Sequence, residues 1–201
     1  SCYLIVMPIA INGSGTITGI TAGGLPDGCV TADDLASGVG GKILQVVSTT
    51  KTDTFSESVS AGGISGDITG LTVSITPSNA SNKILISFVT NTSSPTQSNR
   101  QTNILIYKAG SAISGALGDA DGSKSRASFG YNSDTTSRSG NIISGQYLDT
   151  AGGTSAITYS LRLSHTHDSN YNIFINRAGT EDDDAQNTRL ISTITAMEIA
   201  A

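Results

Sequence analysis

The chain has 201 residues and a net charge of −5, with 13% charged and 37% hydrophobic residues, and more than a third of it is Ser, Thr or Gly. That balance excludes a helical protein, which would be richer in Leu, Glu, Lys and Ala, and favours strands joined by small-residue turns. With no Trp and no clustered Lys or Arg, nucleic-acid binding is not expected. No apolar run approaches the about 18 residues of a membrane span, so no membrane segment is expected either.

Residues 1–40 differ from the rest. The run Tyr3–Ile11 is apolar but lacks the basic flank and small-residue cleavage site of a secretion signal. A Gly-dense stretch follows, and Thr31 and Asp34 have capping-box spacing, predicting one helical turn over Ala32–Ala36 that Gly38 ends. Such a segment has no core of its own and reads as an extended docking arm. Cys2 and Cys29, the only cysteines, make no disulfide framework and are expected as free thiols.

From residue 41 to 201 a period of two dominates. Strands are predicted at Lys42–Thr50, Asp53–Ser60, Leu71–Ile75, Lys83–Asn91, Asn103–Tyr107, Ser125–Tyr131, Asn141–Leu148, Ile157–Leu163, Tyr171–Asn176 and Arg189–Ile199. Ile157, Tyr159, Leu161 and Leu163 alternate with Thr158, Ser160, Arg162 and Ser164, the pattern of a half-buried strand. Lys83–Asn91 and Asn103–Tyr107 carry apolar residues on both faces, as central strands do when they meet a second layer or a partner subunit. Thr92–Asn99 and Gly118–Ser125 read as long surface loops. The whole predicts an all-β fold, a two-sheet antiparallel sandwich, jelly-roll-like, carrying an extended N-terminal arm.

Candidate chemistry is sparse. His165 and His167, the only histidines, extend the odd-numbered face of the Ile157–Leu163 strand. A His-x-His pair can ligate a metal if copies around a trimer axis complete the site; the plainer role is hydrogen bonding at a strand end. The acidic run Glu181–Asp184 lacks the spacing of a calcium loop and reads as a solvated hairpin tip beside Arg177 and Arg189. Asp119 and Asp121 open like such a loop, but Lys124 falls where a ligand is needed. There is no nucleophile elbow, phosphate loop or Cys/His metal spacing, so no catalytic residue and no cofactor are expected.

Several segments share their order and spacing with known proteins: Met7–Gly28, Lys42–Ser56, Gly70–Ile86, Ser123–Gly130, the Asn176-Arg177 pair, and Arg189–Ile199. Together they resemble a family of structural proteins from marine bacteriophages, including those of cyanobacteria, known as tail-fibre or virion structural proteins. Here Ser1–Val6 precede the Met7-Pro8 with which members of that family start. The resemblance implies a virion location after assembly in the bacterial cytoplasm and a homotrimer formed through the β-domain. The arm of residues 1–40 is expected to dock onto capsid, portal or tail proteins, and the resemblance transfers no catalytic residue. A tail fibre would touch a host surface glycan, and a head fibre or knob would decorate the capsid. The competing expectation is a secreted bacterial adhesin or lectin-like carbohydrate-binding module.

Overall fold

The computed structural model describes residues 42–94, 100–133, 140–185 and 187–201. The expected arm over residues 1–40, its helical turn and both cysteines lie outside the described residues. Eleven strands follow in chain order: β1 Ile43–Lys51, β2 Phe55–Val59, β3 Ile64–Ile75, β4 Lys83–Ser93, β5 Arg100–Lys108 and β6 Ser111–Ala112, then β7 Phe129–Ser133, β8 Asn141–Thr150, β9 Ile157–His165, β10 Tyr171–Ile175 and β11 Ser192–Ile199.

The pairing is nested. β1 pairs with β11, β3 with β9, β4 with β8 and β5 with β7, all antiparallel, so the chain forms one long ribbon folded back on itself. Rolling that ribbon brings β11 beside β4 and β9 beside β5. The result is a β1-β11-β4-β8 sheet facing a β3-β9-β5-β7 sheet, with β2 and β10 paired at one end of the first sheet and β6 on the edge of β5. This is the strand order of a jelly roll, two four-stranded sheets each built from alternate turns of the ribbon.

The two inner faces meet in a single core. Ile84, Ile86 and Phe88 of β4, Ile143 of β8, and Ile194 and Ala196 of β11 point inward from one sheet. Leu71, Val73, Ile75, Ile104, Ile106, Tyr159, Leu161 and Leu163 meet them from the other. Phe129 bridges the sheets, packing edge-on to Phe88 with centroids 5.4 Å apart. It can do so because position 145 is glycine; a Cβ there would sit 2.5 Å from the Phe129 ring.

Two polar clasps close the ends. At the end where β1 begins, Glu198 points into the sandwich with 1% exposure. Its carboxylate accepts from the Ser78 N–H (2.7 Å), Ser78 Oγ (2.8 Å), Asn82 Nδ2 (2.6 Å) and Gln45 Nε2 (2.7 Å), tying the β3–β4 turn and β1 to β11. At the far end Asn176 is fully buried at φ +61°, a left-handed conformation that Asn tolerates better than most residues. Its Nδ2 donates to the carbonyls of Lys51 (2.9 Å) and Asp53 (3.0 Å), and its Oδ1 accepts from Ser192 Oγ (2.6 Å). One side chain thereby joins the end of β1, the β1–β2 turn and the start of β11.

The structure departs from the sequence pattern at several places. Thr92 and Ser93 are not loop but buried strand, because their hydroxyls donate to the carbonyls of Asn141 (3.1 Å) and Arg177 (2.5 Å). Residues 125–128 are irregular, and the strand expected there starts only at Phe129. The segment holding Glu181–Asp184 is no hairpin tip, since β10 and β11 both pair with β4 and not with each other. β9 is not solvated on its second face, where Ser160 and Ser164 are buried.

The Glu198 clasp sets a pH dependence. Burial pushes its carboxyl up, but the hydrogen bonds from Asn82, Gln45 and Ser78 more than reverse this and hold it at about 2, below the ordinary 4.5. A carboxyl depressed on folding contributes stability above its ordinary value and loses it as pH falls through the folded one. The unfolding free energy should therefore drop between about pH 4.5 and 2 in denaturant titrations. Glu198→Gln should lower stability at pH 7 by about 2–3 kcal/mol and flatten that drop. Asn176→Ala, which strands two carbonyls and places Ala at a positive φ, should cost about 3 kcal/mol by the same measurement, with Asn176→Gly slightly milder.

Candidate functional site

The far end of the sandwich, opposite the start of β1, gathers the two histidines. Ile157, Tyr159, Leu161, Leu163 and His165 are all buried, so the alternation of β9 carries His165 onto the inner face as expected. There Nε2 lies 2.9 Å from the Val59 carbonyl, and Nδ1 accepts from the His167 N–H at 2.9 Å. Both bonds fit the neutral ring protonated on Nε2. His167 lies just past the strand and stacks on Tyr171, with centroids 4.9 Å apart and planes 10° from parallel. Its Nδ1 faces the Ser169 N–H (3.2 Å), Ser169 Oγ (2.9 Å) and Asp168 Oδ1 (3.1 Å). His165 and Tyr171 pack edge-on at 5.6 Å, and burial pushes the Tyr171 phenol up.

The pair is thus brought together, but its bonds are made within the chain. A metal bound by His165 would have to displace either the Val59 or the His167 contact. Among the described residues, no three His, Cys, Asp or Glu side chains converge on a point that could hold an ion. Glu181 is taken by Arg177 (3.2 Å) and Arg189. The run it opens lines a cavity of about 500 Å³ together with Asn187 and Arg189. Asp121 pairs with Lys124, the residue whose position spoils a calcium loop.

A second cavity, about 330 Å³, lies at the β7 edge of the other sheet, lined by Gln101, Asn103, Ser125, Ser128, Phe129 and Tyr131 among others. Its groups are amides, hydroxyls and ring edges without a charge. That chemistry suits a neutral, hydroxyl-rich ligand such as a saccharide and suits neither a metal ion nor a phosphate. Tyr131 is one of the lining residues, and its hydroxyl is buried without a hydrogen-bond partner among the described residues. Sequence reasoning missed it, since Tyr131 reads only as the last residue of a strand; the aromatic-Gly-aromatic run Phe129–Tyr131 was the one available signal.

The two outer faces differ in chemistry. On the β3-β9-β5-β7 sheet, Arg162 pairs with Asp67 (2.6 Å) and lies 4.0 Å over the Tyr107 ring, while Ser160 Oγ donates to Asp67 at 2.9 Å. On the β1-β11-β4-β8 sheet, register aligns Val46, Met197, Leu85 and Leu148 in one row across four strands. Val46, Val89, Ile142 and Leu148 on that face are 56, 41, 65 and 52% exposed.

No protein-family model and no curated protein matches the chain. Among solved structures, a chain described as infectious bursal disease virus, Gx strain, is similar over 78% of this chain and 37% of that one. The identity is 16% and the TM-score 0.36. This chain therefore spans well under half of that one, and the jelly-roll assignment rests on the strand order itself.

The buried bonds of His165 lead to a direct expectation. His165→Ala should cost about 2 kcal/mol in denaturant unfolding, because it strands the Val59 carbonyl and the His167 amide, whereas His167→Ala should cost less. Added zinc should leave the melting midpoint of the wild-type protein unchanged. A rise of several degrees that vanishes in His165→Gln would show instead that the pair ligates metal.

Proposed function

We propose that the chain is a structural subunit of a bacteriophage virion, a non-enzymatic homotrimeric appendage or decoration protein. Residues 1–40 dock it onto capsid, portal or tail proteins, and the jelly-roll domain is displayed outward. The observation that carries this reading is the nearly uncharged, apolar-banded outer face of the β1-β11-β4-β8 sheet, which in water calls for a partner. The sequence resemblance to marine phage structural proteins points the same way.

Other features fit a particle component. Among the described cations, Lys51, Lys108, Lys124, Arg162, Arg177 and Arg189 are each paired with a carboxylate of the same domain. Main-chain pairing along eleven strands supplies the cohesion, and such bonds respond little to salt. The arm joins at Lys42, beside the Glu198 clasp, while the His167–Tyr171 stack lies at the opposite end. In this reading the far end faces outward, and its uncharged cavity at Gln101, Asn103 and Tyr131 meets a host surface glycan.

Lys42–Ala201 is a compact unit by itself. A chain lacking residues 1–40 should therefore keep its unfolding midpoint within a few degrees, yet be missing from purified particles when their proteins are identified by mass spectrometry. The full chain should be present there in multiple copies. Absence of the full chain from particles, or collapse of the shortened domain, would contradict the proposal.

A further inference from the structure

We propose that the outer face of the β1-β11-β4-β8 sheet is the seam between three copies of this chain, centred on the row Val46, Met197, Leu85 and Leu148. The proposal rests on the trimeric reading above and names the surface that makes it.

The face is built for contact. Its outward positions on the four strands carry apolar side chains, Ser, Thr, Gln or Asn, and a single charged residue, Lys83 at the end where β1 begins. Lys83 Nζ donates to Thr150 Oγ1 at 2.7 Å on the same face. The row flanking the apolar one is Ser48, Thr195, Ser87 and Gln146, small or flexible and neutral. A sheet face that stays in water usually carries Lys and Glu, as a guard against sticking to its neighbours. The opposite outer face, with its Asp67–Arg162 pair, has such charges.

Charge also selects the occupant. Each chain carries −5, so two copies repel unless they meet through a patch free of carboxylates, which this face provides. A strongly charged partner would find nothing here to pair with.

Geometry admits three copies and disfavours four. Four strands spaced about 4.8 Å make a face roughly 19 Å wide, and strands of this length make it roughly 30 Å long, on the order of 600 Å² per copy before corrugation. Summed over both neighbours of a copy, that is somewhat below the about 800 Å² per partner of a standard pairwise interface. Three such faces closing a triangular prism would each stand roughly 5.5 Å from the axis, close to half of the about 10 Å at which sheets pack face to face. Four would stand roughly 10 Å away and leave a void along the axis. With strands running along the axis, the Lys42 ends lie together at one end and the His167–Tyr171 ends at the other.

The test uses the full chain at micromolar concentration in sedimentation velocity. Wild type should run at the mass of three chains. Val46→Glu with Leu148→Glu, both at exposed positions, should keep the circular dichroism of the fold and raise the dissociation constant at least a hundredfold. Val46→Thr with Leu148→Gln, using residue types already present on this face, should raise it about tenfold. Ile64→Glu, an exposed apolar position on β3 of the other sheet, should remain trimeric. If both double variants stay trimeric, the seam lies elsewhere and the trimer stands. A wild-type monomer would overturn the seam and the trimer together, leaving particle membership as a separate result. A two-chain mass would overturn the three-fold packing.

Discussion

The register of β4 fixes both chemistries of its sheet. β4 is hydrogen-bonded to β11 along one edge and to β8 along the other, so Ile84, Ile86 and Phe88 are inward only if Leu85, Ser87 and Val89 are outward. A slip of one residue against either neighbour would exchange the faces and put Ser87 in the core. The cost of that exchange, several large side chains removed from the interior at about 1.5–3 kcal/mol each, is what holds the outer apolar row in line. Core and proposed contact surface are two readings of the same alternation.

Around that sheet, polar groups act as fasteners at the ends. Glu198 gathers the β3–β4 turn and β1, and Asn176 gathers β1, its following turn and β11. Both are buried, and both would be costly if left without their partners. Between them, Tyr159 reaches from the core to Asp149, which Lys108 holds at 2.7 Å. Burial and that carboxylate together push the Tyr159 phenol far up, so it stays a hydrogen-bond donor. On the outer face of the second sheet the Asp67–Arg162 pair is turned outward.

Much of this was legible in the sequence, for physical reasons. β4, β9 and β11 announce themselves because strict alternation has one cause, a sheet with a core on one side. The apolar residues on both faces of β5 are also interior, with Leu105 and Tyr107 buried along with Ile104 and Ile106. The first half of β3 was not legible. Gly66, Asp67 and Gly70 break its period at two register shifts, and Ser65 Oγ mends the ladder by accepting the Leu163 N–H at 2.8 Å. Thr92 and Ser93 read as loop because buried hydroxyls look like solvated ones until their acceptors are known. The nested strand order has no local signature, since it depends on contacts far apart in the chain. For the candidate site, alternation placed His165 inside, but nothing in the sequence shows that Val59 and the His167 amide would occupy its nitrogens.

The two outer faces of the domain are asymmetric. One sheet turns ion pairs outward, and the other turns a neutral apolar band, which a virion subunit would use to hold its copies together. Met197 lies in the middle of that band, and the only other methionine is Met7, in the N-terminal segment. The most direct measurement is the rate of Met197 oxidation by dilute peroxide, followed by peptide mass spectrometry over a range of protein concentrations. Oxidation should be slow where the chains are assembled and should quicken on dilution below the dissociation constant. A fast rate that does not change with concentration would place Met197 in water and contradict the account.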